Sequence, residues 1–216
     1  ERLGSKVKLA ILRSDGGLAS ARASGESPVN LLMSGPAGGV AGAMYFCQRG
    51  GFENILTFDM GGTSTDVAVI AENTSVLRKE TVVDKNHFLL PMVDVRAIGA
   101  GGGSIAGVEE GGYLFVGPES AGAEPGPACY GRNGTQPAVT DADLVLGKLD
   151  PDNFAGGSIT LHSGNSKSAL TDHIGATLGM DPVEAAFGVA EVVDENMAAA
   201  ARAHAAEFGL DLASRD

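Results

Sequence analysis

The segment from Asp59 to Asp66 carries residue types at a spacing that suits it to hold a phosphate group. It has the sequence DMGGTSTD and lies between two short apolar runs. Glycines allow several backbone N–H groups to converge on an anion, because they have no side chain in the way. Thr63 and Thr65 add hydroxyl donors. The candidate phosphate-binding residues of this segment are Gly61, Gly62, Thr63, Ser64 and Thr65.

The two aspartates of this segment are the candidate catalytic residues. A carboxylate repels a phosphate, so Asp59 is better suited to hold Mg²⁺ through water or to orient an attacking water. Asp66 suits the same roles, or it caps the turn. The alternative is an ordinary hairpin whose glycines only form the turn. The length of the string D-x-G-G-T-x-T-D between apolar runs favours the phosphate site, with Asp59 as the metal ligand.

The surrounding elements predict an α/β fold. Residues 54–59 and 66–70 form two apolar strands joined by the glycine turn, which predicts a hairpin. Residues 36–48 predict a helix of small residues that ends at Gly50-Gly51. Asp181, Pro182 and Glu184 form a capping box that opens a long C-terminal helix. In that helix Ala186, Phe187, Ala190, Val193 and Met197 recur at helical spacing.

A second glycine-rich segment covers residues 99–105, with the sequence GAGGGSI. Gly101, Gly102 and Gly103 either line a ligand cleft or pack against the first glycine turn, and the residues alone leave both options open. Residues 113–140 predict a long ordered loop. Residues 13–28 predict a loop or linker, and residues 75–83 and 87–95 predict strands.

Other polar residues are weaker candidates. Asp141 and Asp143 are possible metal ligands, but an aspartate at this position more often caps a helix. Cys129 is more typical of a small buried residue than of a nucleophile. The histidines show no metal-ligand spacing. They are His87, His162, His173 and His204.

Composition narrows the class of protein. The chain has 216 residues, a net charge of -12 and 44% hydrophobic residues, which predicts a packed core. This acidic balance argues against nucleic-acid binding. No apolar stretch is long enough to span a bilayer and no signal peptide is evident, so we expect a cytoplasmic protein without a membrane partner. Because the chain begins with Glu1, we expect a piece of a longer protein.

Residues 58–67 (FDMGGTSTDV) resemble the second phosphate motif of the actin, sugar-kinase and heat-shock-chaperone ATPase fold. The small-residue helix before them resembles the interdomain connecting helix of that fold. Further strings occur in one order from residue 34 onward, and together they are similar to the hydantoinase A / 5-oxoprolinase family. They are SGPAGGV (34–40), IGAGGGSI (98–105), VGPESAGA (116–123), PGPACYG (125–131) and VTDADLVLG (139–147).

This resemblance implies an actin-like (ribonuclease H-like) ATPase domain over residues 30–216, preceded by a segment or linker at 1–29. It implies ATP and Mg as cofactors, with a substrate amide or carbonyl oxygen activated by phosphorylation. It also favours the cleft-lining role for Gly101, Gly102 and Gly103, as cofactor-binding residues. The expected enzyme is an ATP-dependent hydrolase of cyclic amides of the hydantoin or 5-oxoproline type. An ATP-dependent acetone or acetophenone carboxylase β subunit and a non-enzymatic actin-like nucleotide switch are the alternatives.

The resemblance also implies a two-lobed protein and a second enzyme subunit as partner. The family carries another Asp-x-Gly-Gly-Thr motif near its N-terminus and a Gly-Gly-rich adenosine motif after the last helix, and neither occurs in these residues. We therefore expect this chain to supply one phosphate-binding half of the cleft and to be inactive by itself.

Overall fold

The computed structural model describes residues 7–83 and 85–210 and has a mixed α/β architecture. Its described residues form two compact units. The first unit takes its residues from Glu1–Asp59, Asp66–Arg96 and Ala201–Asp216. The second unit consists of Met60–Thr65 and Ala97–Ala200. The expected division at residue 30 stays a prediction.

The first unit contains most of the short strands. Its helices are α1 (Ala21–Glu26), α2 (Ser34–Gly50) and a 3-10 turn at Pro28–Leu31. Its strands are β1 (Ala10–Leu12), β2 (Leu18–Ser20), β3 (Ile55–Met60), β4 (Thr65–Ala71), β5 (Thr74–Ser75), β6 (Leu77–Arg78), β7 (Thr81–Val83), β8 (Asn86–Phe88) and β9 (Met92–Val93). Strand β10 (Arg96–Ile98) begins in this unit, and its last two residues belong to the second unit.

The strands of the first unit pair mostly with near neighbours in the chain. Strand β4 lies beside β3 and pairs antiparallel with β5. Strands β1 and β2, β6 and β9, and β7 and β8 form three further antiparallel pairs. Buried side chains of α2 and of β4 form the core together with one residue of β9. They are Ala37, Val40, Ala68, Ile70 and Val93.

The second unit is built around an antiparallel pair, β11 (Ser104–Val108) and β12 (Leu114–Ser120). Its helices are α3 (Val139–Val145), α4 (Ser163–Leu170), a π-helical turn at Thr171–Gly175, α5 (Ala176–Leu178) and α6 (Pro182–Glu207). The residues of α6 from Ala201 onward belong to the first unit. The core of the second unit includes Val116, Val139, Leu170, Ile174 and Val189.

The main helices and the hairpin strands agree with the sequence predictions. Helix α2 ends at Gly51, which has a φ of 76° and so needs the left-handed conformation that glycine adopts readily. Helix α6 has the expected capping box. The Asp181 carboxylate accepts from the N–H groups of Val183 and Glu184, and the Glu184 carboxylate accepts from the N–H of Asp181.

Several predictions of local structure were wrong. The single strand predicted at 75–83 is divided among β5, β6 and β7, and residues 13–28 contain β2 and α1. The loop predicted at 113–140 contains β12 and a 3-10 turn at Ala128–Tyr130. Phe187 was placed on the buried face of α6, but it is 59% exposed while Ala186 is fully buried. Among the described residues, no helix combines the length and apolar character needed to cross a bilayer.

Candidate phosphate-binding turn and carboxylate pair

In the second unit, the glycine turn of residues 61–64 is open to solvent at Gly61, Gly62 and Thr63. The N–H of Gly61 donates to the carbonyl of Ser64 at 2.8 Å, which closes the turn. The N–H groups of Gly62 and Thr63 have no acceptor among the described residues. Two adjacent unpaired donors on an exposed turn fit an anion such as a phosphate group.

The second glycine segment packs directly against this turn. The N–H of Gly102 donates to the carbonyl of Gly61 at 3.0 Å, and the N–H of Gly103 donates to the carbonyl of Gly62 at 2.6 Å. A Cβ at Gly101 would lie 2.7 Å from the carbonyl carbon of Thr63. Only glycine allows so close an approach of two backbones.

This packing bears on the two roles considered for the second glycine segment. The N–H of Gly101 donates to the hydroxyl of Ser104, so all three glycine donors of residues 101–103 are used inside the protein. Gly101 and Gly103 are also buried. In this geometry the segment braces the turn, and contact with a nucleotide by these three residues stays a prediction that the geometry does not favour.

Thr65 also braces the turn. Its side chain is fully buried, and its hydroxyl donates to the carbonyl of Ala100 at 2.5 Å. A hydroxyl used in this way has no free proton for a phosphate, so Thr63 is the better hydroxyl donor. Ser64 is half-buried beside it.

Thr140 is a supporting residue that the sequence analysis did not single out. Both its hydroxyl and its N–H donate to the carbonyl of Gly102, at 2.7 and 2.8 Å. The N–H of Ala121 donates to the carbonyl of Gly103 at 2.8 Å. The bracing segment is therefore fixed from two further parts of the second unit. Only the sequence strings around residues 116–123 and 139–147 had singled out these regions.

In the first unit, Asp59 and Asp66 border one cavity of about 180 Å³. Asp59 lies at the exposed end of β3, and Asp66 is half-buried in β4. The wall opposite them comes from α2, where a Cβ at Gly39 would lie 3.1 Å from Oδ2 of Asp59. The small-residue helix thus leaves room for the Asp59 carboxylate.

Burial raises the pKa of Asp66 above its usual value, and the negative charge of Asp59 raises it further. A negative charge close to a carboxylate disfavours the charged form of that carboxylate, here Asp66. A divalent cation near both would relieve this repulsion, so the pair fits a metal-bound phosphate group. Among the described residues, no group of three or more His, Cys, Asp and Glu side chains could hold a metal. Mg²⁺ does not require one, since it usually binds to one or two carboxylates plus phosphate and water.

Asp141 has a structural role that uses its whole carboxylate. It is fully buried and accepts hydrogen bonds from the N–H groups of Ala128, Cys129 and Ala138 and from the hydroxyl of Ser166. These four donors leave no free oxygen for a metal, so the helix-capping interpretation is the better one.

Cys129 is also structural. Its side chain is fully buried. Burial raises the pKa of the Cys129 thiol strongly, and the charge of Asp141 raises it further. Because the thiolate is the nucleophilic form, Cys129 is unreactive in this environment.

Comparison with known sequences identifies the class of protein. The family model for Hydantoinase/oxoprolinase matches residues 1–215, and the chain belongs to this family. The resemblance drawn from the sequence motifs is therefore confirmed.

Among its relatives, the chain is 44% identical over 170 residues to the acetophenone carboxylase gamma subunit of Aromatoleum aromaticum, covering 77% of this chain and 23% of that protein. A solved structure of ATP-dependent caprolactamase from Pseudomonas jessenii is 36% identical with a TM-score of 0.78, covering 94% of this chain and 29% of the other. A nucleotide-free acetone carboxylase structure is 31% identical with a TM-score of 0.87, covering 99% and 30%. The chain thus spans less than a third of the length of these relatives.

Proposed function

We propose that this chain is the phosphate-binding part of an ATP-dependent enzyme that hydrolyses cyclic amides of the hydantoin or 5-oxoproline type. The observation that carries the proposal is the exposed Gly61–Ser64 turn, whose free N–H groups are held in place by a buried second glycine segment. Family membership and the likeness to a caprolactamase structure support this choice of substrate class.

The proposed nucleotide site belongs to an actin-like ATPase fold. Gly62 and Thr63 would hold a phosphate group of ATP through their N–H groups, with the Thr63 hydroxyl as a further donor. Asp59 would hold Mg²⁺ through water. Asp66 would help to hold the same ion or would orient an attacking water. Bound Mg-ATP supplies a phosphoryl group that activates the substrate carbonyl. The residues of this chain bind and orient that group and keep the negative charge of the site balanced.

A carboxylase is the second candidate. It is favoured by the likeness to the acetophenone carboxylase gamma subunit and to the acetone carboxylase structure. The same turn and the same carboxylates would serve either reaction, since both would begin with ATP. The relatives named as subunits also support a companion subunit for the complete enzyme. Cys47 and Cys129 are both unpaired, which supports a reducing, cytoplasmic location.

The test uses the complete protein that contains this sequence, with and without a companion subunit. Phosphate release from Mg-ATP would be followed with 5-oxoproline, hydantoins and caprolactam, and with acetone plus bicarbonate. Asp59→Asn would be measured in parallel. We expect a cyclic amide to stimulate release and the variant to lose the stimulation while remaining folded.

Each other outcome selects another function. Stimulation only by a ketone with bicarbonate would favour the carboxylase. Phosphate release that responds to a protein partner and to no small molecule would favour a nucleotide switch. The isolated chain of 216 residues should show no ATP turnover, and robust turnover by this chain alone would contradict the proposal that it supplies half of a cleft.

A further inference from the structure

The first unit contains a second polar cavity, of about 250 Å³, that borders Arg78, Asp94 and Arg96. A cavity of about 150 Å³ is enough to hold a benzene ring. This cavity therefore has room for one small ring compound. Its remaining border is formed by Met33, Glu80, Thr81, Val82, Val93 and Val95.

The positive charges around this cavity are all matched by negative ones. Nε of Arg78 lies 2.5 Å from the Asp94 carboxylate, and Glu207 forms ion pairs with both Arg78 and Arg96. Glu80 adds another negative charge, 2.7 Å from His87. With both arginines already neutralised, the cavity has no excess positive charge for a free anion. It suits a neutral polar ligand better.

Two side chains at this cavity, Asp94 and Arg96, each keep hydrogen-bonding atoms that have no protein partner. Oδ2 of Asp94 is buried and has no donor within the described ranges. Nε and Nη1 of Arg96 have no acceptor within the same ranges, since its hydrogen bond to Glu207 uses Nη2. A buried carboxylate oxygen without a donor is costly, and a ligand N–H would satisfy it. The free arginine donors suit a carbonyl oxygen.

We propose that this cavity binds a neutral cyclic amide, such as a hydantoin or a simple lactam, with the ring N–H donating to Asp94 and a ring carbonyl accepting from Arg96. An amide is the neutral group that presents a donor and an acceptor side by side. The location agrees with this assignment, because Val95 borders both this cavity and the cavity of Asp59 and Asp66. The inference rests on the proposed function and adds the residues that recognise the substrate.

The first experiment varies the ligand and needs no substitution. In the complete enzyme, KM would be measured at saturating Mg-ATP for a lactam and for its N-methyl analogue, which lacks the N–H donor. A hydrogen bond to a charged group is worth about 1.5–3 kcal/mol, so we expect KM to rise about tenfold or more on N-methylation. An N-methyl analogue that binds as well as the parent lactam would overturn the proposal.

The second experiment assigns the effect to Asp94. Asp94→Asn should raise KM for the lactam and should reduce the difference between the lactam and its N-methyl analogue. The affinity for nucleotide should stay close to that of the wild type. Asp15→Asn is the matched control, since Asp15 also pairs with an arginine of the first unit, Arg13, but does not border this cavity, and its KM should not change. If Asp94→Asn leaves the discrimination intact, the assignment is wrong.

The experiments distinguish failure of the proposed function from failure of the proposed substrate site. If no cyclic amide stimulates phosphate release in the wild type, the proposed function fails and this inference fails with it. If lactams stimulate release but neither N-methylation nor Asp94→Asn changes KM, only the substrate site proposed here is overturned. Should Asp94→Asn fail to fold, Arg96→Lys provides the second variant, with a raised KM expected and an unchanged KM contradicting the proposal.

Discussion

The N–H of Gly103 donates to the carbonyl of Gly62 at 2.6 Å, joining two glycine segments that are about forty residues apart in the chain. Each segment supplies what the other lacks. In the Gly61–Ser64 turn, the carbonyl oxygens of Gly61 and Gly62 accept hydrogen bonds, and the N–H groups of Gly62 and Thr63 stay free. In the second segment, the N–H groups of residues 101–103 all donate to acceptors inside the protein. This packing holds the turn in shape.

Substitution of Gly101 by alanine should destabilise the second unit. The added Cβ would lie within 3 Å of backbone atoms of Thr63, Ser64 and Gly61, which cannot move aside without distorting the turn. Such overpacking costs typically about 1–3 kcal/mol. Gly102→Ala is the control, because its Cβ would meet the Thr140 hydroxyl at 3.0 Å and backbone only at 4.0 Å, the carbonyl oxygen of Gly61. Thermal unfolding should show a clearly larger decrease in Tm for Gly101→Ala, and equal decreases would contradict the packing described.

Substitution of Gly39 by alanine should affect activity more than stability. Its Cβ would lie 3.1 Å from Oδ2 of Asp59 and would push the carboxylate aside. Misplacement of a reacting group by about 1 Å can cost about a hundredfold in rate. Gly42→Ala in the same helix is the control, since its Cβ meets nothing within 4 Å. Phosphate release by the complete protein should fall only for Gly39→Ala; a similar fall for both would show that Asp59 is not the cause.

The carboxylate pair predicts a specific pH dependence. Burial and the Asp59 charge raise the pKa of Asp66, so the folded state holds this proton more tightly than the unfolded state does. The resulting penalty is absent below the unfolded value of about 3.9 and develops as pH rises through the raised folded pKa. Asp66→Asn should therefore increase stability at pH 7 and lose that advantage near pH 3.

A titration checks the same relationship directly. Carboxyl NMR of the wild type and of Asp59→Asn should show a lower pKa for Asp66 in the variant, because one of its two causes has been removed. Mg²⁺ should lower the pKa of Asp66 in the wild type. An unchanged pKa in Asp59→Asn would mean that the two carboxylates do not interact.

Asp141→Ala should be strongly destabilising. It would leave three buried N–H groups and the Ser166 hydroxyl without their acceptor, and each lost bond to a charged group costs about 1.5–3 kcal/mol. Asp143→Ala is the control, because Asp143 pairs with the half-exposed Lys148 at 3.0 Å and such pairs contribute about 1 kcal/mol or less. Denaturant unfolding would be measured with and without EDTA. A structural role for Asp141 predicts no effect of the chelator on the stability of the wild type, whereas metal binding predicts a decrease.

Acidification should destabilise the first unit through His204. This histidine is buried, and burial lowers its pKa, with opposing contributions from Asp94 and Glu207 and supporting ones from Arg96 and Arg78. A lowered pKa favours the neutral ring in the folded state. Stability is therefore present above the unfolded value of about 6.5 and decreases as pH falls below it. Unfolding between pH 8 and 5 should be less pH-dependent in His204→Gln, and an identical profile would exclude His204 as the cause.

Local signals in the sequence were sufficient for the main helices and the glycine hairpin. The capping box of Asp181 and Glu184 and the glycine end of α2 depend only on residues a few positions apart, so their chemistry is visible in the string. The sequence left two roles open for Gly101–Gly103, cleft lining and packing against the turn. Only the folded backbone shows where their N–H groups point.

The cavity proposed to bind the substrate could not be predicted from the sequence. Arg78 pairs with Glu207 across more than a hundred residues, and no pattern of spacing relates them. The face of α6 was also misassigned at Phe187, because small residues such as Ala185 and Ala186 form the buried surface there. A hydrophobic pattern weights a phenylalanine above an alanine, whereas close helix packing selects the smaller side chain.

The Asp141 carboxylate has a consequence for protein engineering. It binds the N–H groups of Ala128 and Cys129 at one end of a loop and that of Ala138 at the other, so both ends are held by a single side chain. Thr135 and Gln136 are exposed residues of this loop, and the Asp141 carboxylate that joins its ends lies between them and the core. An inserted epitope or fluorophore attachment sequence at this point would lengthen a loop whose closure is already fixed, and added loop length costs little. The loop offers a place to label the second unit without disturbing the glycine segments.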